Sequence, residues 1–266
     1  MQLIPEIREG QSIELLKELH ILTRDGKLNQ DTRRKLKQVY HLYQFIEPLL
    51  HDGANLIDMG AGKSYLGFIL YDLFFKQKSS GHVYGIETRE ELVKKSQDLA
   101  RRLKFDRMSF LPLSVEASMT STDVPATIDV VTALHACDTA TDDAIRFGLE
   151  RKAQHLVLVP CCQAEVASVL RKNKGPSLSQ NVLTEIWRHP IHTREFGSHI
   201  TNVLRCLQLE AHGYQVKVTE LVGWEHSMKN ELIVATYKDL PRRYPKERLE
   251  QVLEQLGLQE LSARFS

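Results

Sequence analysis

The sequence is short of several things, and each shortage excludes something. It carries almost no net charge. Lys and Arg number 35 against 34 Asp and Glu, which leaves +1. A chain so balanced does not gather nucleic acid over its whole surface, so any such contact must come from a local patch. Long apolar runs are missing too. The longest, YLGFILYDLFF at 65–75, is interrupted by Asp72 and is too short to cross a bilayer. The first residues, MQLIPEIREG, hold neither the apolar centre nor the small-residue cleavage site of a leader peptide. The expectation is a soluble, cytoplasmic protein with no membrane partner. Cysteine is scarce: Cys137, Cys161, Cys162 and Cys206 are all there are. In a reducing compartment these do not make a disulfide framework. There is no internal repeat and no low-complexity tract. What is there is ordinary, with 42% hydrophobic and 26% charged residues. That composition, at this length, fits one large globular domain or a domain with extensions.

Apolar spacing at 11–22 and 31–50 is helical and predicts a helical N-terminal extension over residues 1–50, with the locally basic stretch RDGKLNQDTRRKLK inside it. From Asn55 the pattern changes. The short apolar runs NLIDMG, HVYGIE, MSFLPL, IDVVTAL and HLVLVP alternate with helical segments near 63–77, 89–104, 139–152 and 162–173. Such alternation implies a mainly parallel sheet with helices on both faces. KNKGPSLSQ (172–180) reads as a polar loop, and a helix is expected near 194–212. Two further strand-like runs, YQVKVTELV and ELIVATYKD, predict an antiparallel hairpin at one edge of the sheet. The amphipathic tail PKERLEQVLEQLG predicts a surface helix within a C-terminal segment, 239–266. The fold class expected for 51–238 is therefore α/β and Rossmann-like: seven strands, mainly parallel, the last antiparallel. This is the arrangement of class I methyltransferases.

The glycine turn in LIDMGAGKSYLG (56–67) follows the first strand. A phosphate loop, G-x-x-x-x-G-K-[ST], would need glycine at 57, where Ile57 stands in the strand. A dinucleotide turn, G-x-G-x-x-G, would need glycine at 65, where Tyr65 stands. What remains is an acid, any residue, Gly, any residue, Gly: Asp58-Met59-Gly60-Ala61-Gly62. That pattern suits S-adenosyl-L-methionine (SAM), which has no phosphate but has an ammonium, a carboxylate, a sulfonium and a ribose diol. Asp58 can hold the cationic amino-acid end, directly or through water. Gly60, Ala61 and Gly62 bring the backbone near the ligand. Glu87 ends the second strand, with Thr88 beside it, where an acid accepts both ribose hydroxyls. Ser114 or Val115, after the third strand, would meet the adenine, and Leu134, ending the fourth, completes the candidate cofactor set. For Asp58 or Glu87 alone, strand-end solvation would serve as well.

In open α/β sheets ligands bind beyond the carboxyl ends of the strands. The fourth strand ends in LHACDTATDDAI and the fifth in VPCCQ. Together they place His135, Cys137, Asp138, Cys161, Cys162 and Gln163 where chemistry is expected. Several readings compete for them. Zinc is one, but there is no C-x-x-C pair and adjacent cysteines do not both face one ion easily, so no metal is expected. A catalytic thiolate, Cys137 or Cys161, is another. Small packing residues beside the cofactor are a third. Asp138, just before a helix, can also serve as its N-cap.

At LHACDTATDDAI, PCCQ and EHSMKN the chain resembles a family of class I methyltransferases, and it is similar there to the eukaryotic tRNA acceptor-stem 2′-O-methyltransferases. The matching residues are His135, Cys137, Ala140, Thr141, Asp142, Cys161 and Cys162. The sequence departs from those enzymes in having Asp138 in place of glycine and Gln163 in place of histidine, and it lacks their Cys/His zinc modules. The resemblance implies SAM as cofactor and transfer to an O or N acceptor of RNA, tRNA or rRNA. His135 and Asp138 are then the first candidates to orient or deprotonate the acceptor.

GWEHSMKN (223–230) joins the last two strands. His226 there has a pKa suited to proton removal, with Glu225 and Asn230 beside it, although a solvated loop is the plainer reading. Three basic clusters are candidates for an RNA track or are simply solvated helix faces: Arg33, Arg34, Lys35 and Lys37; Arg171, Lys172 and Lys174; Arg242, Arg243 and Lys246. A methyltransferase for a protein or small molecule, and a non-catalytic module that binds SAM or RNA, are the competing functions.

Overall fold

The computed structural model describes residues 6–134, 139–160, 164–172, 185–186, 188–221 and 231–266, with the side chains of 31 and 35 outside that description. Its centre is one seven-stranded sheet: β1 (Asn55–Met59), β2 (His82–Ile86), β3 (Met108–Leu111), β4 (Val130–Leu134), β5 (His155–Val159), β6 (Tyr214–Glu220) and β7 (Glu231–Tyr237). The spatial order is β3-β2-β1-β4-β5-β7-β6. β1 to β5 pair in parallel, while β7 runs antiparallel to both β5 and β6. The hairpin therefore lies at one edge, as expected, with β7 inside it and β6 outermost. Central strands are covered on both faces, which is why β1 and β5 read as nearly unbroken apolar runs. The outermost β6 is mostly open to solvent, with Gln215, Lys217 and Glu220 exposed on it.

Two N-terminal helices precede the sheet, α1 (Ile13–Glu18) and α2 (Gln30–Ile46). Ser12 caps α1 by accepting the Leu15 N–H at 3.1 Å. α1 stops because His20 takes a left-handed φ of 53°. Asn29 and Thr32 cap α2 reciprocally: the Asn29 side chain accepts the Thr32 N–H at 2.9 Å, and the Thr32 hydroxyl accepts the Asn29 N–H at 3.0 Å. α2 gives way to a tight turn at Glu47–Leu49, where Pro48 has no N–H to continue the ladder.

After β1 comes α3 (Tyr65–Leu73) and after β2 comes α4 (Glu90–Leu103). α3 is buried on nearly every side, and Leu15, Leu16, Leu42, Tyr43 and Ile46 of the N-terminal helices share one core with its Phe68, Ile69 and Leu70. Asp72, the charge that interrupts the apolar run, is itself buried; it accepts the Ser12 N–H at 2.7 Å and pairs with Lys76 at 3.2 Å. A polar residue thus docks the N-terminal segment. α4 places Glu90 and Glu91 in its first turn and Arg101 and Arg102 in its last, which complements the helix dipole.

On the opposite face, α6 (Ala140–Glu150) covers Ile57, Met59, Val131 and Leu158 with Ala144, Ile145 and Phe147. The short α5 (Val115–Thr120) was not expected. It is six residues long, is started by the Ser114 cap and shows no helical periodicity. α7 (Glu165–Lys172), α8 (Pro190–Ala211) and α9 (Arg243–Gln255) form a third core with Val169, Leu204, Leu249, Leu253 and Phe265. α8 begins at Pro190, earlier than the spacing predicts, because proline is favoured in a first turn where its missing N–H costs nothing. The amphipathic tail lays its apolar face on this third core. No helix among the described residues is long and apolar enough to cross a membrane.

Candidate cofactor site

The parallel strands bring their carboxyl ends to one edge of the sheet, and the glycine turn opens there. Gly60 and Gly62 both hold left-handed backbones, with φ of 64° and 58°. A Cβ at Gly60 would touch no protein atom within 4 Å, so the conformation, not crowding, demands glycine at that position. The turn is tied to the next strand twice. The Ala61 N–H donates to the Ile86 carbonyl at 3.0 Å, and the Gly62 N–H donates to Glu87 Oε2 at 2.9 Å.

Among the described residues, Glu87 is the most heavily bonded carboxylate of this edge. Oε1 accepts the Arg89 backbone N–H at 3.0 Å and its Nε–H at 2.9 Å, while Oε2 accepts Nη2–H at 3.1 Å. The Thr88 hydroxyl lies 3.4 Å from Oε1. The Arg89 guanidinium, and after it the backbone donors, outweigh the effect of burial and hold the Glu87 carboxyl down at about 2. Glu87 is therefore ionised at any physiological pH. Arg89 is the less fixed partner, its side chain being 62% exposed.

Asp58 lies beneath the turn. It is 3% exposed and faces Thr132 across the β1–β4 pairing, whose hydroxyl donates to Oδ1 at 2.9 Å. Burial raises its pKa to about 7, against the opposing pull of the Thr132 hydroxyl and the Gly67 amide. Gly67, in the first turn of α3, allows this packing. A Cβ there would sit 2.6 Å from Ser64 Oγ and 3.7 Å from Asp58 Oδ2. Ser64 precedes α3 with φ 51°, and its buried hydroxyl has no partner among the described residues. Asp58 thus stands at the N-terminal, positive end of a helix, under a loop whose Gly62 amide is directed to Glu87.

The other expected cofactor residues lie along the same edge. Ser114 spends its hydroxyl on the Ala117 N–H, 3.2 Å away, as the α5 cap. Val115, half-buried, packs against the same core as Leu111, Leu113 and Tyr84. Leu134 ends β4 opposite Val159, the end of β5. His135, Cys137, Asp138, Cys161, Cys162, Gln163, Glu225, His226 and Asn230 lie outside the described residues, although the strands leading to the first two groups end side by side. Cys206, in α8, has its thiol pushed up to about 12 by burial, which disfavours the thiolate. Among the described residues, no group of three or more His, Cys, Asp or Glu could hold a metal ion. Of the basic clusters, Arg33 pairs with Glu6, Arg242 with Asp239 and Arg243 with Glu247. These pairs reduce the net positive charge of the first and third clusters, and Lys174 of the second lies outside the described residues.

Sequence reading misses Thr132, Gly67 and Arg89. Thr132 is the single polar residue of VVTAL, and that interruption was a usable signal. Nothing local marks Arg89.

The sheet order and the glycine turn define a Rossmann-like methyltransferase fold. A family model described as a methyltransferase domain matches residues 34–169, about half of the chain, and the chain belongs to that family. Among curated proteins it is similar to a glutathione S-transferase C-terminal domain-containing protein of Bos taurus, with 23% identity over 229 residues, 79% of this chain and 34% of that protein. A homologue from Drosophila pseudoobscura pseudoobscura matches at 23% identity, over 77% of this chain and 36% of its own length. The chain spans about a third of the length of these relatives. Among solved structures, it is similar to an rRNA methylase from Streptococcus thermophilus, with 12% identity, 75% of this chain and 94% of that chain covered, and a TM-score of 0.46.

Proposed function

We propose that the protein binds SAM at the edge formed by β1, β2 and β4 and transfers its methyl group to an oxygen or nitrogen of an RNA, tRNA or rRNA. The observation that carries the cofactor reading is the Glu87 carboxylate, ionised and fastened to the Gly60–Gly62 turn. The residues fit the group. Glu87 offers a fixed anionic acceptor to a ribose diol once Arg89 swings into solvent. The Gly60–Gly62 backbone lines the approach. Asp58 favours the cationic amino-acid end from beneath the turn. Ser114 and Val115 flank the adenine.

SAM supplies an electrophilic methyl on a sulfonium; the carbon–sulfur bond breaks as the bond to the acceptor forms, and the acceptor gives up a proton. This chain's task is then positioning and proton removal. His135 and Asp138 are assigned to the acceptor, with Cys137, Cys161, Cys162 and His226 as the remaining candidates. The RNA reading is supported by the resemblance of the LHACDTATDDAI, PCCQ and EHSMKN segments to those of tRNA acceptor-stem 2′-O-methyltransferases.

Calorimetry tests the cofactor. SAM binds the wild type and not Asp58→Ala; a wild type that binds no SAM defeats the reading. Transfer of labelled methyl into total RNA, run beside a protein extract, tests the substrate class. Label in protein alone would replace RNA with protein.

A further inference from the structure

A cavity opens beside the glycine turn, and none of the expected cofactor residues lines it. It holds about 760 Å³, between the end of α1, the start of α3 and the side of α4 that carries Leu92, Ser96 and Leu99. That is room for a nucleotide. Its floor is apolar, made by Leu19, Tyr65, Leu92 and Leu99. Its rim carries Lys63, Lys95, Arg101 and Arg102 against two acids, Glu18 and Asp98. Those acids engage only the arginines: Arg102 meets Glu18 at 2.8 Å and Arg101 meets Asp98 at 3.0 Å. Lys63 and Lys95 are exposed and form no ion pair among the described residues. The whole chain has a net charge of +1, so this rim is a local concentration of positive charge.

The position and the chemistry narrow the occupant. Lys63 directly follows Gly62, so the cavity shares a wall with the candidate cofactor turn. A cationic rim has the wrong sign for a sulfonium and an ammonium, so it is not the seat of the methyl donor. A simple anion would gain nothing from Leu19, Leu92 and Leu99. A nucleotide satisfies both parts: a flat, largely apolar base against Tyr65 and the leucines, and a phosphate between the two lysines. We propose that this cleft seats a nucleotide of the RNA substrate flanking the acceptor, with its phosphate on Lys63 and Lys95. The proposal rests on the RNA reading above and adds where the strand runs.

The test uses the full chain and fluorescently labelled unfractionated tRNA, with anisotropy followed through a salt series. Lys95→Glu reverses a cleft charge. Lys238→Glu reverses an exposed charge just past β7, at the opposite end of the sheet. Lys95→Glu is expected to weaken tRNA binding about tenfold and to lower the slope of log affinity against log salt by about one. Lys238→Glu should behave as wild type, and calorimetric SAM affinity should be the same in all three. Wild-type tRNA affinity in Lys95→Glu would overturn the cleft and leave the RNA reading standing. Equal losses in both variants would also overturn it, because bulk charge would then explain the binding. A wild type that binds SAM but no tRNA at any salt would overturn the cleft as a seat for tRNA and, if no label enters total RNA either, would remove the RNA substrate while sparing the methyltransferase.

Discussion

The Gly62 amide donates to Glu87 Oε2 at 2.9 Å, across 25 residues of sequence. One bond thus fixes the glycine turn to the end of the second strand and aims a carboxylate along the candidate ribose site. Glu87→Gln keeps an acceptor for Gly62 but removes the charge. A charged hydrogen bond contributes about 1.5–3 kcal/mol, so SAM affinity should fall roughly 10- to 100-fold by calorimetry. The bonds also carry a pH signature. The folded value, about 2, lies below the ordinary 4.5, so this contribution to stability is present above pH 4.5 and is lost as the pH falls toward 2. An unchanged Kd in Glu87→Gln would remove Glu87 from the site.

Arg89 occupies the same carboxylate from the solvent side. Its side chain is exposed, so solvent screens the pair and leaves it weak. A ribose diol must compete with it. Arg89→Gln leaves Glu87 held by the Gly62 and Arg89 backbone N–H groups, so SAM should bind up to about threefold more tightly. Weaker binding in Arg89→Gln would show that the guanidinium supports the bound state instead.

Asp58 supplies a pH dependence of opposite sign. Its folded value, about 7, lies above the ordinary 3.8, so the folded protein keeps a proton that the unfolded chain releases. Stability from this group is full below about pH 4 and is lost as the pH rises to 7, by up to about 1.4 kcal/mol per pH unit. Asp58→Asn retains an acceptor for Thr132 and should flatten that slope in denaturant titrations at pH 5 and pH 8. SAM binding should report the same proton. A cationic ligand end favours the carboxylate, so wild-type affinity should decline below pH 7 with a proton released on binding. Heats independent of buffer ionisation enthalpy at pH 6 would refute this coupling.

The parts legible in the sequence were those written locally. β1 and β5 announce themselves because a strand covered on both faces must be apolar throughout. Asp58, Gly60, Gly62 and Glu87 stood out as polar or flexible residues at the ends of such strands. Thr132 became meaningful only with the register that sets it opposite Asp58, and register between strands some seventy residues apart is not a local property. Arg89 looked like any charged residue entering a helix. α5 escaped notice because six residues give no period to read, only the Ser114 cap. Asp142 entered through a resemblance of motifs, yet its partner sits on α8, far away in the chain.

That partner is Arg205, and the pair makes the strongest stability prediction. Arg205 is fully buried and Asp142 nearly so, joined by Nε–Oδ1 at 2.6 Å and Nη2–Oδ2 at 2.9 Å. Arg205 Nη1 also donates to Asn202 Oδ1 at 3.1 Å, and Asn202 Nδ2 donates to Glu231 Oε2 at 2.8 Å. The network joins α6, α8 and the first residue of β7. In sequence, Asp142 stands shortly after His135–Asp138 and Glu231 directly after Asn230, so it anchors chain next to two of the candidate catalytic segments. Removing one member of a buried pair strands the other's charge, at about 3–5 kcal/mol. Arg205→Met should therefore lower Tm by roughly 10 °C. The double variant Arg205→Met/Asp142→Leu strands no charge, only the Asn202 Oδ1 that loses its donor, and should recover much of that loss, giving a large coupling in the double-mutant cycle. A single Arg205→Met that melts with the wild type, or a double variant no better than the single, would mean that burial of this pair does not hold α8 to the sheet.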